Sequence, residues 1–422
     1  MDSEALPTVS VVVTGHTDRT WTTANLRALL ALRYPRHEVV LVHDGAASGF
    51  LRTLIEHFEL YQVPPAVLVN VPTGPVRAYY RSRRHGKLFV IDKPHAGHAD
   101  DLNAALNASR FPYVLTMDVC TRLVPDALRH LMRPFLLAEP VASVAGATRI
   151  GRAGHGGGDP AVSAAVPAGS VGGAQAVEQL RDMVFARVGW NRFGGELPDQ
   201  RGVLVHRREQ LLELDGYRAG VADPERDLVR RLRARQRGRS VTDVPALPDA
   251  VAWRLPAGRL ASAARERAAV HRGRVEELLT RQPSADGVTG RRAAVALAAG
   301  ALAPVLELVG YVLLAAALVR GGPSDPFVPL FLVAVPGYAL LLSLWAVALE
   351  WTVGGTVHGW RDAVRLAGFA VAEQLGYRQR IMWARLGATA DALLRRPRAA
   401  SAPVLVGADA GVRGAAGGVQ AR

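Results

Sequence analysis

The chain runs to 422 residues, more than one small domain needs, and 49% of them are hydrophobic although only 6% are aromatic. Its 42 Gly and 26 Pro are scattered without a period, which excludes a collagen-like or wholly disordered polymer, and its single cysteine, Cys120, excludes an internal disulfide or a multi-cysteine zinc site. An excess of 51 Lys and Arg over 37 Asp and Glu gives a formal charge of +14, which calls for an anionic partner: nucleic acid, phosphate groups or a lipid surface.

Met1 to Pro7 has neither the basic patch nor the apolar run of a secretory signal, so the first domain is expected to stay in the cytosol. Short β-branched runs then alternate with helical patterns. Val9 to Val13 precedes Trp21 to Leu32, Val39 to Val42 precedes Phe50 to Phe58, and Leu88 to Ile91 precedes Ala99 to Ala108. Val114 to Met117 follows, before a helix opened by Pro125. This alternation predicts an α/β domain with a mostly parallel sheet, whose ligands sit beyond the carboxyl ends of the strands. Asp44, Asp92 and Asp118 each stand at such an end.

Gly151 to Gly173 is rich in Gly, Ala and Pro and reads as a mobile surface connection; it has no Gly-Lys-Ser/Thr ending, which excludes a P-loop. Gln175 to Trp190 reads as a helix. Asp223 to Arg239 reads as a strongly basic one, fit either for a solvated face or for lipid headgroups. Ala293 to Val319 is apolar apart from Glu307, and Phe327 to Leu349 is uncharged, each exceeding the ~20 residues that cross a bilayer. Arg291 and Arg292 precede the first span and Arg361, Arg365, Arg378, Arg380 and Arg385 follow the second, so the pair is expected to form a hairpin with both flanks cytosolic. Trp360 to Leu386 mixes Arg with large apolar residues, as an interfacial amphipathic helix does, and the Ala/Gly/Arg tail from Arg395 is expected to be disordered. The expected divisions are 1–285, 286–352 with spans at about 293–319 and 327–349, 353–394, and 395–422.

Sugar transfer from a nucleotide donor needs a base pocket, a charge facing the leaving diphosphate and a carboxylate for the acceptor proton. Asp44-Gly45 and Asp118 are candidates that also suit an ordinary turn or cap. Between them, Asp92 to Asn103 is a Gly-containing loop running into a helix, a place for phosphate that Lys93 and His98 flank. His95 and His98, three apart and without further ligands nearby in sequence, read as structural rather than as a metal pair. Glu225, in the Asp223 to Asp227 cluster, suits either the helix dipole or a catalytic base.

The order of these segments resembles the bacterial family-2 glycosyltransferases that make extracellular polysaccharides, the group with the poly-N-acetylglucosamine and cellulose synthases. The resemblance is carried by Val9 to Val13, Leu29 to Pro35, Glu38 to Gly45, Asp92-Lys93-Pro94, Ala99 to Asn107, Gly202 to Glu209, Gly216-Tyr217 and Glu373 to Arg378. It implies a Rossmann-like GT-A fold, a nucleotide-sugar donor (a UDP-sugar), a divalent metal (Mg or Mn) and inverting transfer to a glycan or lipid-linked acceptor, in a multi-pass plasma-membrane protein of the cell envelope. By position it puts Thr14 and Asp44 at the nucleotide base, Lys93 and His98 at the donor, Asp118 at the metal as first acid of an Asp-x-Asp motif, and Glu225 as the base. Several family positions differ. Cys120 replaces the second metal acid, His98 a Lys, Pro224-Glu225 a Glu-Asp pair, and Glu266 to Val270 lacks the Gln-x-x-Arg-Trp residues that serve polymerisation. Single transfer is therefore expected over processive synthesis. A silent relative that binds a nucleotide-sugar, or scaffolds a partner synthase subunit, is the alternative. Nucleic acid is not expected as a partner, since no helix-turn-helix, finger or stacking platform is evident and membrane-flanking arginines account for much of the charge.

Overall fold

In a computed structural model the chain is described over residues 6–15, 19–45, 49–65, 67–136, 141, 143–156, 159–163, 165–183, 202–221, 223–235, 246–280, 287–353 and 359–394. The expected tail from Arg395, and the ends of the two predicted helices at Trp190 and Arg239, lie outside those residues.

Wholly buried β-branched runs make the centre of a ten-stranded sheet. β1 (Val9–Thr14) lies between β2 (His37–His43) and β6 (Tyr113–Asp118), both parallel to it, with Thr14 opposite Asp118. β5 (Leu88–Asp92) continues the parallel set beside β2. The expected mostly parallel sheet is corrected beyond these four strands. On one side β4 (Ala78–Ser82) and β3 (Leu60–Val63) add antiparallel. On the other, β11 (Val203–Arg207) runs antiparallel to both β6 and β8 (Ser143–Ile150), β12 (Ala246–Arg254) is parallel to β8, and β7 (Thr121–Leu123) closes the edge antiparallel. These pairings join segments far apart in sequence, which local periodicity does not encode.

Alternate side chains of the strands feed two cores. Val9, Val11, Val13, Leu41, Leu115 and Met117 pack with α1 (Arg19–Leu30), α2 (Phe50–Phe58) and α4 (Ala127–Leu136). Val12, Val40, Val42, Ile91 and Val114 face the opposite way, onto α3 (His98–Ala108) and α7 (Pro224–Arg235). Each fully buried Leu or Val on these faces contributes about 1.5–3 kcal/mol.

Gly151 to Gly173, expected to be a mobile connection, instead holds an antiparallel hairpin of β9 (Arg152–Gly156) and β10 (Asp159–Ser163), and then opens α5 (Ser170–Arg181). After α6 (Arg208–Glu213), α7 and α8 (Leu260–Thr280), α9 (Gly287–Gly321) runs into α10 (Phe327–Leu332) and α11 (Tyr338–Val353). Leu297–Ser324 and Phe327–Thr352 are long and apolar enough to cross a membrane, and only 11% and 17% of their apolar windows are buried, unlike core helices. The single interfacial helix expected next is corrected to two, α12 (Trp360–Ala372) and α13 (Arg378–Leu393), broken where Gly376 takes φ +94°. One face of each is covered by protein: α12 and α11 pack Leu366, Ala370, Ala346 and Val347 on Val177 and Leu180 of α5, and Ile381 of α13 joins Ala263 and Ala264 of α8.

Candidate active site

Strand parity assembles the site. Thr14 and Asp44 each stand two places after a residue of the α3-facing core (Val12, Val42), and Asp118 stands two places after Thr116, whose hydroxyl meets Glu225 of α7, so all three lie on that side at the carboxyl ends of adjacent strands. Thr14 is level with Asp118 on one side, while on the other Val13 pairs with Leu41, so Asp44 stands two residues beyond the level of Thr14.

The Asp118 turn is pinned from α1. Trp21 Nε1 donates to Val119 O at 2.9 Å, and Asn25 Nδ2 donates to Val119 O and Thr121 O, both at 2.8 Å. The Cys120 N–H donates to Asp118 Oδ1 at 3.0 Å. Gly15 ends β1 at φ +96°, and a Cβ there would lie 3.1 Å from Asp118 Oδ1, so this glycine leaves room for the carboxylate.

Cys120 is not a metal ligand of the expected kind. It is buried, and burial first, then the Asp118 charge, push its thiol well above the usual range. Arg254, at the end of β12, lies beside Cys120 and Asp118, while its guanidinium pairs with Glu266 at 2.5 Å. A protonated thiol beside a buried guanidinium does not fit a divalent cation, so no metal chemistry is assigned to the Asp118–Cys120 pair. Arg254 was missed in the sequence because nothing local links it to Asp118.

The loop after β5 forms the other lip. Lys93 is turned fully inward, its Nζ donating to Asp100 and, at 3.1 Å, to Asp101, both in the first turn of α3. Burial alone would lower the ammonium, but these bonds hold it above its ordinary value. Lys93 therefore ties the loop to the first turn of α3. The expectation for the two histidines changes too. His95 Nδ1 lies 2.8 Å from Asp44 Oδ2, joining the loop to the end of β2, and one ligand atom from each of Asp44, His95 and Asp101 falls within 4.8 Å of the others. Burial first, and then Asp44, raise Asp101 to about 7 against the pull of Lys93. His98 opens α3 at the same lip.

Glu225, in the first turn of α7, is only 6% exposed, and its Oε1 accepts from Thr116 Oγ1 at 3.0 Å. Thr116 stands two residues before Asp118 on one strand face, so Glu225 meets β6 one pleat repeat before Asp118. Asn103 and Asn107, one helical turn apart on α3, hold two loops in place. Asn103 Nδ2 donates to Pro72 O and Tyr217 O, its Oδ1 accepts from Tyr217 N, and Asn107 exchanges bonds with Val71. The Asn-Ala-Ala-Leu-Asn stretch is thus a clamp on Gly216-Tyr217. The residues of the absent Gln-x-x-Arg-Trp motif lie on α8, where Glu266 pairs with Arg254 and Arg267 with Glu178.

No family model matches the chain, and no curated protein matches it. Among solved structures, it is similar to a mannosyltransferase from Pyrobaculum calidifontis in complex with GDP-Man and Mn2+, at 16% identity over 94% of this chain and 89% of that one, with a TM-score of 0.54. S. aureus TarS 1–349, alone and with UDP-GlcNAc, aligns over 92% of both chains at 12% identity, with TM-scores of 0.40 and 0.38. The chain therefore has a mixed α/β fold of the kind found in the Pyrobaculum mannosyltransferase.

Proposed function

We propose that the chain transfers a sugar from a nucleotide-sugar, a UDP-sugar by the sequence resemblance and a nucleoside diphosphate sugar by the GDP-Man-bound neighbour, to a glycan or lipid-linked acceptor. The observation that carries this reading is the convergence of Thr14, Asp44 and Asp118 on one side of the sheet at the carboxyl ends of its parallel strands. Thr14 and Asp44 take the nucleoside, the amino end of α3 with His98 faces the diphosphate, and Asp118 orients the donor sugar. Glu225 accepts the acceptor hydroxyl's proton as its oxygen attacks the anomeric carbon, and the bond from that carbon to the diphosphate breaks with inversion. Arg254 supplies fixed positive charge behind Asp118. The apolar hairpin anchors the chain in the plasma membrane with the sheet domain cytosolic, and the exposed Trp360 and Trp383 of α12 and α13 face the lipid interface.

A silent nucleotide-sugar binder, acting with a partner synthase, is the second reading. It is favoured by the filling of the position beside Asp118 with Cys120 and Arg254, and by the burial of Glu225. Release of nucleoside diphosphate by detergent-purified chain, across UDP- and GDP-sugars, separates the two. Loss of release in Asp118→Ala and Glu225→Gln supports transfer. Donor binding with no release under any condition supports the silent reading.

A further inference from the structure

We infer that Asp44, His95 and Asp101 form a divalent-cation site at the lip of the cleft, separate from Asp118. Their ligand atoms lie within 4.8 Å of one another, the span of ligands around one ion, and they come from three segments: the end of β2, the loop after β5 and the first turn of α3. The arrangement is held before any ligand arrives. Lys93 N donates to His43 O at 3.0 Å, tying the loop to β2, and Gly45 at φ +77° brings its chain beside the His95 backbone.

Electrostatics ask for a cation here. Asp44 and Asp101 are 1% and 2% exposed, and a cation between them, added to Lys93 on Asp101, relieves the repulsion of two buried carboxylates. Lys93 and Arg77 pair with Asp92, Asp100 and Asp101, and His43 and His95 lie against Asp92 and Asp44. The His95 side chain is 33% exposed, which opens the site to entry and to water ligands. Two carboxylates with one imidazole suit Mn2+, Co2+ or Zn2+ better than Mg2+.

The site goes beyond the transfer reading and does not rest on it, so it is tested without nucleotide. Full-length chain in detergent is stripped with chelator and titrated with Co2+, read by its visible absorption, and with Mn2+ by calorimetry. One equivalent is expected to bind, with affinity lowered more than about tenfold in His95→Gln and in Asp101→Asn and unchanged in Asp118→Asn. His95 lies in a partly exposed loop, so its substitution tests the ligand without threatening the core, and unfolding midpoints confirm that each variant is folded. No saturable binding by the wild type, or a site that survives His95→Gln and disappears in Asp118→Asn, overturns the assignment.

Discussion

Gly15 has φ +96°, where an L side chain is strained, and its missing Cβ is the space against which Asp118 Oδ1 rests. Gly15→Ala is expected to displace that carboxylate and reduce donor turnover at least tenfold while the unfolding midpoint moves only a few degrees; unchanged turnover would detach Asp118 from the chemistry. Asn103 makes a different prediction. Removing its side chain breaks three hydrogen bonds and leaves the buried Tyr217 N–H without its acceptor, so Asn103→Ala should cost about 2–4 kcal/mol in denaturant unfolding. Gly216→Ala should be as damaging, because its Cβ would fall 2.5 Å from Asn103 Oδ1. At this scale the sequence was informative where a residue acts through its neighbours in the chain. The strand-end places of Asp44 and Asp118 are legible because each follows its own strand. His95 was set aside because its partner, Asp44, is 51 residues away, and Arg254 reaches Cys120 only once β12 has joined β7 and β8.

The elements tell the same story with longer reach. The four central parallel strands and their helices follow from periodicity that any short window contains. The antiparallel half of the sheet follows from pairings made across long insertions, and the β9–β10 hairpin from backbone bonds that Gly- and Ala-rich sequence does not advertise. The joint of α5, α8 and α13 is equally non-local. Glu178 accepts from Arg267 at 2.9 Å and from Tyr377 Oη at 3.0 Å, with Arg385 at 3.4 Å, and Glu178, Arg267 and Arg385 line a small cavity with Asp182, His271 and Arg274. Burial alone would raise Glu178, but Arg267 first, then Arg385 and Arg181, hold it down at about 2. Burial and then Arg385 hold His271 at about 4. Both folded values lie below the unfolded ones of 4.5 and 6.5, so both contributions are complete at neutral pH. As pH falls, the His271 part is lost between about 6.5 and 4, and the Glu178 part between about 4.5 and 2. Asp182, raised by burial and then by Glu178, acts in the opposite sense. That contribution cancels in the comparison with His271→Asn, whereas Glu178→Gln also removes the charge that raises Asp182. His271→Asn should flatten the thermal midpoint between pH 6.5 and 4 relative to wild type, and Glu178→Gln should flatten the range below it while lowering the midpoint at pH 7. Parallel pH curves for wild type and both variants would show that the joint does not hold these groups as charged and neutral partners.

For the molecule as a whole, the question is what the apolar hairpin is built to meet. Arg149, on β8, donates to Glu350 at 2.6 Å, and Arg181 of α5 donates to Ser343 at 2.7 Å and to Glu373 at 2.8 Å, so the end of α11 is docked on the sheet domain by buried charge. Breaking one such pair costs about 3–5 kcal/mol, because the partner is left charged and buried, and Glu350→Ala should accordingly release the hairpin to proteolysis. Farther along, Leu306, Val309, Val312 and Leu313 are exposed on α9, a surface that water would penalise and hydrocarbon would not. A lysine in the middle of such a span costs about 2.5–3.5 kcal/mol of insertion free energy. Val309→Lys with Leu313→Lys should therefore weaken membrane insertion severely, leaving sedimented protein that alkaline carbonate extracts, while wild type resists extraction. If wild type itself were extracted by carbonate or stayed soluble without detergent, the exposed apolar surface would have to be covered by protein.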